Sequence, residues 1–190
     1  TCHSYKLAKT KVKVVSMNHI PIKDTPASGQ ESQRLAQLKT CLDQAGIAFA
    51  ILVHADNIST AQDGAQTGLG TLSAMAPTFI LQTEAGYLAA VIRGDTRLSN
   101  KKIKKQLGLK NISLAGPDQV KDLTGAEVGC VALVNPGLRT IIAARVGEME
   151  AVFGGSGAPK HTLRVAPRDL IQVTQAQVFD FTELKDGGEA

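Results

Sequence analysis

Residues 78–93, "TFILQTEAGYLAAVIR", decide how this chain folds. Two apolar runs, TFILQ and YLAAVIR, flank a short turn that contains glycine, which is typical of a β-hairpin. The segment AAVI is apolar without alternation, so the second strand is predicted to be covered on both faces. Pro77 precedes the first strand, and the first residue of a strand tolerates proline well.

Short helices are predicted on both sides of the hairpin. Leu35, Leu38 and Leu42 recur at helical spacing within residues 31–45, and Gly46 predicts the end of that helix. Caps and prolines mark the other helix starts: after Ser59, which fits a capping box with Gln62, after Ser99 or Asn100, at Pro117 and at Pro167.

Apolar runs predict the remaining strands. They are FAILV (49–53), NISLAG (111–116), CVALV (130–134), TIIAARV (140–146), EAVF (150–153), TLRV (162–165) and AQVFDF (176–181), with a short edge strand near Val12 and Val14. The helices and strands alternate without regular β-α-β spacing. We therefore predict a single mixed α+β domain.

Composition narrows the class of protein. The chain has 190 residues, 43% apolar and 20% charged, with a formal charge of +4. It has no run of 18 apolar residues and no secretory signal at its start, so we predict no membrane association and a cytoplasmic location. The three cysteines and four histidines are scattered, which predicts no metal site and no cofactor. The first residue is Thr1 rather than methionine, which we interpret as a fragment of a longer protein or a trimmed chain.

A basic segment lies between residues 93 and 110. It has seven cations against one carboxylate, so its net charge of +6 exceeds that of the whole chain. Lys101 and Lys102 fall in the first turn of a predicted helix, where the helix dipole disfavours cations. Two interpretations are open: a solvated helix face, or a surface that contacts phosphates. The candidate cations are Arg93, Arg97, Lys101, Lys102, Lys104 and Lys105.

Two glycine-rich stretches are candidates for ligand binding. The first glycine loop is TGAEVGCV (124–131) and the second is GGSG (154–157). Glycine lets a backbone approach a ligand and direct N–H groups at a carbonyl, but two tight turns explain the same pattern. Neither loop matches a nucleotide triphosphate motif. Cys130, His54 and His161 are candidate reactive groups, each with a structural alternative.

The order of these segments resembles the YbaK-type aminoacyl-tRNA deacylases, which include editing proteins related to the insertion domain of bacterial prolyl-tRNA synthetase. The matching segments are AFAILVHADN, STAQDGA, RGDTRLSNKKI, LAGPDQVKDLTGAEVGCV and GGSGAPKHTLRVAPRDLIQVTQAQVFDF, across about four-fifths of the chain. The resemblance implies a barrel-like, mostly antiparallel sheet of six or seven strands flanked by short helices. On this basis residues 1–30 are an N-terminal extension and linker, 31–182 the editing domain and 183–190 a tail.

The resemblance also implies an activity, which is hydrolysis of the ester between a mischarged amino acid and the tRNA 3′ end. The partner would be the acceptor end of an aminoacylated tRNA, held by the basic segment. The implied substrate-binding residues are Thr60, Thr78, Gly129, Cys130, Gly155, Ser156, Gly157 and His161.

This sequence departs from the family pattern at two important positions. Family members place a lysine immediately before the threonine of the first hairpin strand, where this chain has Pro77. Cys130 stands where the family has a second glycine. Two hypotheses follow: an editing hydrolase with a divergent pocket, or a degenerate binding domain followed by a regulatory domain in a larger signalling protein.

Overall fold

The structure, a computed structural model, describes residues 29–185. The predicted edge strand near Val12 and nearly all of the predicted extension 1–30 lie outside this range. Its helices are α1 (Gly29–Gln44), α2 (Ala61–Gly64), α3 (Asn100–Leu107), α4 (Pro117–Thr124), α5 (Ala144–Gly147) and α6 (Pro167–Thr174). Its strands are β1 (Phe49–Val53), β2 (Thr78–Thr83), β3 (Gly86–Val91), β4 (Thr96–Leu98), β5 (Ile112–Leu114), β6 (Arg139–Ala143), β7 (Val152–Gly155), β8 (His161–Val165), β9 (Gln177–Phe179) and β10 (Thr182–Leu184).

The hairpin predicted from residues 78–93 lies at the centre of a five-stranded sheet. Strands β2 and β3 pair in antiparallel register from Thr78↔Val91 to Thr83↔Gly86. The sheet order is β5-β2-β3-β6-β9, in which β6 is parallel to both of its neighbours. Residues 88–91 of β3 are all buried, so the prediction that both faces of this strand are covered is confirmed.

The two faces of the hairpin belong to different hydrophobic clusters. Ile80 and Ala89 face Val120 of α4 and Val131. Leu81 and Leu88 face the main core, which also holds Leu38 and Leu42 of α1. Burying a side chain of this size stabilises the fold by about 1.5–3 kcal/mol. Helix α1 is therefore attached to the same core as the central hairpin.

The α+β class and the mostly antiparallel pairing are confirmed, but the strands do not form one sheet of six or seven. In the described residues they divide into the five-stranded sheet, a three-stranded sheet β1-β8-β7 and a pair β10-β4. These sheets do not close into one barrel, so the description barrel-like holds only loosely. Strand β10 crosses the predicted domain boundary at residue 182, and that boundary stays a prediction.

Four local predictions were wrong. Residues 130–134 form an irregular loop because their backbone bonds go to the second glycine loop rather than to a strand. The run TIIAARV leaves the sheet after Ala143 and turns into α5. The run AQVFDF is divided between β9 and a separate β10. The N-cap of α2 is Thr60, which forms a capping box with Asp63 instead of the predicted pair with Gln62.

Candidate functional site

Three loops meet at one end of the three-stranded sheet, and we call this region the loop end. They are residues 54–60 after β1, the first glycine loop after α4, and residues 154–161, which form the turn from the end of β7 to the start of β8. The His54 N–H donates to the Lys160 carbonyl at 2.9 Å, and the Ile58 N–H donates to the Pro159 carbonyl at 2.6 Å. Backbone bonds therefore hold the loop after β1 against the β7–β8 turn.

The two glycine loops are in direct contact, although 22 residues lie between them in the sequence. The Leu133 N–H donates to the Gly155 carbonyl at 2.9 Å, and the Gly157 N–H donates to the Cys130 carbonyl at 3.0 Å. A Cβ at Gly155 would overlap the carbonyl of Val131. Glycine at this position therefore permits the close approach of the two backbones.

Gly129 joins the first glycine loop to the start of α2. Its φ of +91° lies in the left-handed region, and a Cβ there would overlap the carbonyl of Ser59. The next residue, Thr60, is exposed and caps α2 by accepting a hydrogen bond from the Asp63 N–H at 3.1 Å. The structure thus brings Thr60 beside the first glycine loop, as the sequence-based site requires.

The amide groups of the two loops are not equally available to a ligand. The N–H groups of Cys130 and Gly157 already donate to the carbonyls of Glu127 and Cys130, each at 3.0 Å. Within residues 29–185, the N–H groups of Gly129 and Ser156 have no hydrogen-bond acceptor. The Ser156 hydroxyl is buried and donates to the His161 carbonyl at 2.9 Å, so it fixes the turn.

Cys130 is not set up as a nucleophile. Burial raises the pKa of its thiol, and the carboxylates of Glu31 and Glu127 raise it further. The sulfur lies 3.9 Å from the Ile58 carbonyl oxygen. A protonated thiol is a poor nucleophile at neutral pH, so Cys130 contributes packing and shape rather than covalent chemistry.

Two neutral histidines lie side by side at the loop end. Val53 pairs with His161 across β1 and β8, which puts His54 next to that pair. Burial lowers the pKa of His161, and burial together with the charge of His161 lowers the pKa of His54. His54 Nε2 lies 3.0 Å from the Thr162 hydroxyl. His161 Nδ1 is buried without a partner in the described residues, so it can bond to a ligand or water.

Pro77 and Thr78 lie close to the second glycine loop. The Ala76 N–H donates to the Phe153 carbonyl at 2.7 Å, and a Cβ at Gly154 would lie 2.6 Å from the Ala76 carbonyl oxygen. Pro77 lacks an N–H, but its carbonyl accepts from the Ile92 N–H at 3.2 Å. The Thr78 hydroxyl is buried and has no partner in the part of the chain that the structure describes.

Helix α1 supplies site residues that the sequence-based prediction missed. Arg34 Nε donates to the Gly157 carbonyl at 2.9 Å. Glu31, one turn earlier, is near enough for its charge to raise the pKa values of Cys130 and His161. The sequence did indicate that Arg34 faces inward, because Arg34 lies four residues before the buried Leu38, on the same face of the helix.

A cavity of about 420 Å³ opens beside this contact. It is lined by Arg34, Gln37, Leu38 and Cys41 of α1, by Leu123 and Thr124 of α4, and by Ala132, Val134, Asn135, Pro136, Ser156 and Gly157. Polar and apolar groups are mixed along its wall. Its position next to the second glycine loop makes it part of the loop end.

The basic segment contains cations with a carboxylate partner and cations without one among the described residues. Arg93 forms a bidentate pair with Asp95 at 2.6 and 2.8 Å. Lys102 bonds to Asp180 at 2.8 Å, and Arg97 lies 3.3 Å from Glu183. On α3, by contrast, Lys101, Lys104 and Lys105 have no carboxylate within ion-pair distance among residues 29–185.

Membrane-spanning helices and metal-ligand clusters are both absent from the described part of the chain. None of the helices in residues 29–185 is long and apolar enough to cross a membrane. The same residues contain no group of three or more His, Cys, Asp or Glu side chains that could hold a metal ion.

Known proteins with a similar fold include editing domains. A structure described as "a putative trans-editing enzyme for prolyl tRNA synthetase" superposes with a TM-score of 0.73 at 23% identity, covering 83% of this chain and 99% of that one. A "putative signal transduction protein" from Marinobacter aquaeolei superposes with a TM-score of 0.57 at 20% identity, covering 78% of this chain and 30% of that one. At these identities the likeness shows the fold alone.

Sequence comparison identifies the family. A proline–tRNA ligase from Oleidesulfovibrio alaskensis is 28% identical over 120 residues, which are 63% of this chain and 21% of the ligase. The chain thus spans about a fifth of the length of that relative. Residues 55–173 match the family model of the aminoacyl-tRNA editing domain, which is more than half of the chain. The protein therefore belongs to the aminoacyl-tRNA editing domain family.

Proposed function

We propose that this chain hydrolyses the ester bond between a mischarged amino acid and the 3′ end of a tRNA. The observation that carries the proposal is the contact between the two glycine loops beside His161, inside the segment that matches the family. The N–H groups of Gly129 and Ser156 are the donors that a substrate carbonyl would use. Such donors stabilise the negative charge that develops on a carbonyl oxygen during attack.

In the proposed reaction, a water oxygen attacks the ester carbonyl carbon to give a tetrahedral intermediate. The bond from that carbon to the ribose oxygen then breaks, and a proton from the water is transferred to the ribose oxygen. Neutral His161 would hold the aminoacyl group or the water through its Nδ1. The protonated Cys130 thiol favours direct attack by water over a covalent enzyme intermediate.

The divergent part of the pocket is the position of the family lysine. We propose that Pro77 occupies this position, close to Gly154 and the buried Thr78 hydroxyl. Proline cannot donate a hydrogen bond, so a contact to the terminal adenosine or the carbonyl would be missing. Loss of a single donor of this kind costs about 10²–10³ in rate. We therefore propose a slower enzyme than its lysine-containing relatives.

The tRNA acceptor stem would be held by the cations of α3 that have no carboxylate partner in the described residues. These are the exposed Lys101 and Lys105 and the half-buried Lys104. Arg93, Arg97 and Lys102 have carboxylate partners and would contribute less to phosphate binding. This division refines the prediction in which all six contact tRNA.

The experiment that tests the proposal is a deacylation panel of mischarged tRNAs with the wild type and Pro77→Lys. We expect hydrolysis of at least one species above the buffer rate, and a faster rate for Pro77→Lys because the lysine restores a cationic donor. A lysine-containing family member run in parallel is the control. If that control is active and neither form of this chain deacylates any tRNA, the proposal is wrong.

A second candidate function is a binding module without catalysis, joined to a regulatory domain. The observations that favour it are Pro77 and the fold similarity to part of a longer protein described as acting in signal transduction. Binding of an intact aminoacyl-tRNA, with no hydrolysis even in Pro77→Lys, would support this candidate. A cytoplasmic location stays a prediction under both functions.

A further inference from the structure

We infer that Arg34 is a positioning residue for the second glycine loop, an inference that rests on the proposed function of the loop end. Arg34 reaches from α1 to a loop 123 residues later in the chain. Its Nε donates to the Gly157 carbonyl at 2.9 Å. The guanidinium thereby holds the peptide unit that follows Gly157, in the same turn as the Ser156 N–H.

The stem of Arg34 also packs against both glycine loops. A Cβ at Gly157 would lie 3.6 Å from the Arg34 Cβ and 3.7 Å from its Cδ. A Cβ at Gly125 would lie 3.3 Å from the same Cδ. Gly125 ends α4 and begins the irregular part of the first glycine loop. One side chain of α1 therefore contacts both the end of α4 and the second glycine loop.

Gly157 needs such an external contact because its own conformation is weakly restricted. Its φ is +88°, a region that glycine adopts at little cost but does not prefer strongly. The Gly157 N–H is fixed by the Cys130 carbonyl, and its carbonyl is fixed by Arg34. With both polar groups held, the peptide units on either side of Gly157 have one orientation. The Ser156 N–H, a donor in the proposed reaction, lies in the next peptide unit toward the N-terminus, whose Gly155 carbonyl accepts from the Leu133 N–H at 2.9 Å. The hydrogen bonds from Arg34 and Leu133 therefore hold the turn on both sides of Ser156.

Lysine cannot reproduce this arrangement. The Nε of arginine is followed by a flat guanidinium that can bond to a carbonyl while its stem lies across glycine backbone. A lysine ammonium is a single terminal donor on a flexible stem, and it has no donor at the Nε position. The placement of Arg34 between two glycines thus depends on its shape as well as its charge.

The test compares Arg34→Ala and Arg34→Lys with the matched control Lys39→Ala, an exposed cation on the same helix. A misplaced donor lowers the rate by about 10²-fold when it shifts by roughly 1 Å, so we expect Arg34→Ala to lower kcat by about 10–100-fold. A positioning residue acts through the loop rather than on the substrate, so we expect KM to change by less than about threefold. Added propylguanidinium should restore part of the Arg34→Ala rate but leave Lys39→Ala unchanged. A kcat equal to that of Lys39→Ala would overturn the inference.

A second measurement separates this inference from the proposed function. Amide hydrogen exchange at Gly157 and Ala158 should be at least about tenfold faster in Arg34→Ala and Arg34→Lys than in the wild type, since neither variant keeps the hydrogen bond that orients this peptide. If the wild type deacylates no tRNA, the proposed function fails while the exchange rates still decide whether Arg34 holds the loop. Unchanged exchange in both variants would overturn the inference, and faster exchange in both would support it. Because Arg34→Lys keeps the charge and most of the volume, it keeps the test valid if Arg34→Ala does not fold.

Discussion

The loop end and the basic helix α3 both carry residues that stand out in the sequence, but the fold uses them in different ways. At the loop end, glycines far apart in the chain come into contact, and the backbone of one loop bonds to the backbone of the other. Around α3, cations that are close together in the chain have different surroundings. Lys102 is paired with Asp180, and only some of the other cations of the basic segment are exposed.

The difference shows what proximity in sequence does and does not indicate. A cluster of like charges is visible in the sequence, but its members point around a helix and find different partners. In the sequence, the two glycine loops have the pattern of two separate turns. Only the fold shows that they are in contact. The loop end is therefore built by contacts between segments far apart in sequence. The cations around α3 are brought together by the local sequence, and carboxylates of the C-terminal segment then pair with some of them.

The largest expected effect comes from separating the two glycine loops. In Gly155→Ala the new Cβ overlaps the Val131 carbonyl, so the loops must move apart. We expect the deacylation rate to fall by about 10²–10³-fold because the amide donors lose their alignment. We also expect overpacking to lower the free energy of unfolding by about 1–3 kcal/mol.

The matched control for Gly155→Ala is Gly147→Ala in α5. A Cβ at Gly147 has no heavy atom within 4 Å, and its φ is not in the left-handed region. We expect the same chemical change there to leave the rate unaltered and to stabilise the helix by about 0.5–1 kcal/mol. Rates and thermal melts of the two variants decide the comparison. A Gly155→Ala protein as active as Gly147→Ala would show that the contact between the loops is unimportant.

An intermediate effect is expected from the exposed part of the basic helix. Changing Lys101, Lys104 and Lys105 together to Glu should weaken tRNA binding by about 10–100-fold at low salt, because each phosphate contact releases counterions. The slope of log affinity against log salt should fall by about one for each lysine–phosphate interaction that the substitutions remove. Lys102, another of the six candidate cations, is left unchanged because it also donates to the Thr182 carbonyl at 2.9 Å.

Binding titrations at several salt concentrations measure this effect. Lys39→Glu, on the exposed side of α1, is the control for a general change in net charge. The triple variant should keep the wild-type melting temperature, since these lysines form no ion pair with the described residues and surface charges contribute little to stability. Salt-insensitive binding that the triple variant does not change would remove the case for a nucleic-acid surface on α3.

Local sequence rules predicted the hairpin and most helix starts because the information is local. The apolar run of β3, the prolines that open α4 and α6, and Ser99 before α3 each act within a few residues. The run CVALV was wrongly predicted as a strand because its apolar residues are buried without a strand partner, Val131 against the hairpin and α4 and Leu133 in the main core. An apolar segment that is buried without pairing to another strand has the same sequence pattern as a buried strand.

The site was predicted only in part for a related reason. Glycines and histidines could be named in advance, since their chemistry is a property of the residue type. The inward position of Arg34 is visible in the helical spacing, but its role is not, because that role depends on a hydrogen bond across 123 residues. The carboxylate partners of Lys102 and Arg97 lie on the C-terminal segment, and nothing near α3 in the sequence indicates them. Partner assignment across such distances requires the fold itself.

The smallest expected effect is a loss of thermal stability in mild acid. We expect it to come from the neutral histidines of the loop end and not from the permanently charged lysines of α3. A histidine with a lowered folded-state pKa binds protons less readily than it does in the unfolded chain, so stability falls as the pH drops below about 6.5. Both His54 and His161 have lowered pKa values, so we expect the melting temperature to fall by a few degrees between pH 7.5 and 5.5. The pKa values of Asp63 and Asp180 are lowered by hydrogen bonds, so their contribution is lost only at more acidic pH.

The variant His54→Gln/His161→Gln should lose most of this pH dependence, because glutamine does not titrate. The Lys101, Lys104 and Lys105 variant should keep it, because those groups stay charged throughout this range. Thermal melts at half-unit pH steps compare the three proteins directly. If the double histidine variant shows the same fall in melting temperature as the wild type, the histidines at the loop end are not its cause. If the fall disappears, the loop end rather than the charged surface sets the response of this fold to mild acid.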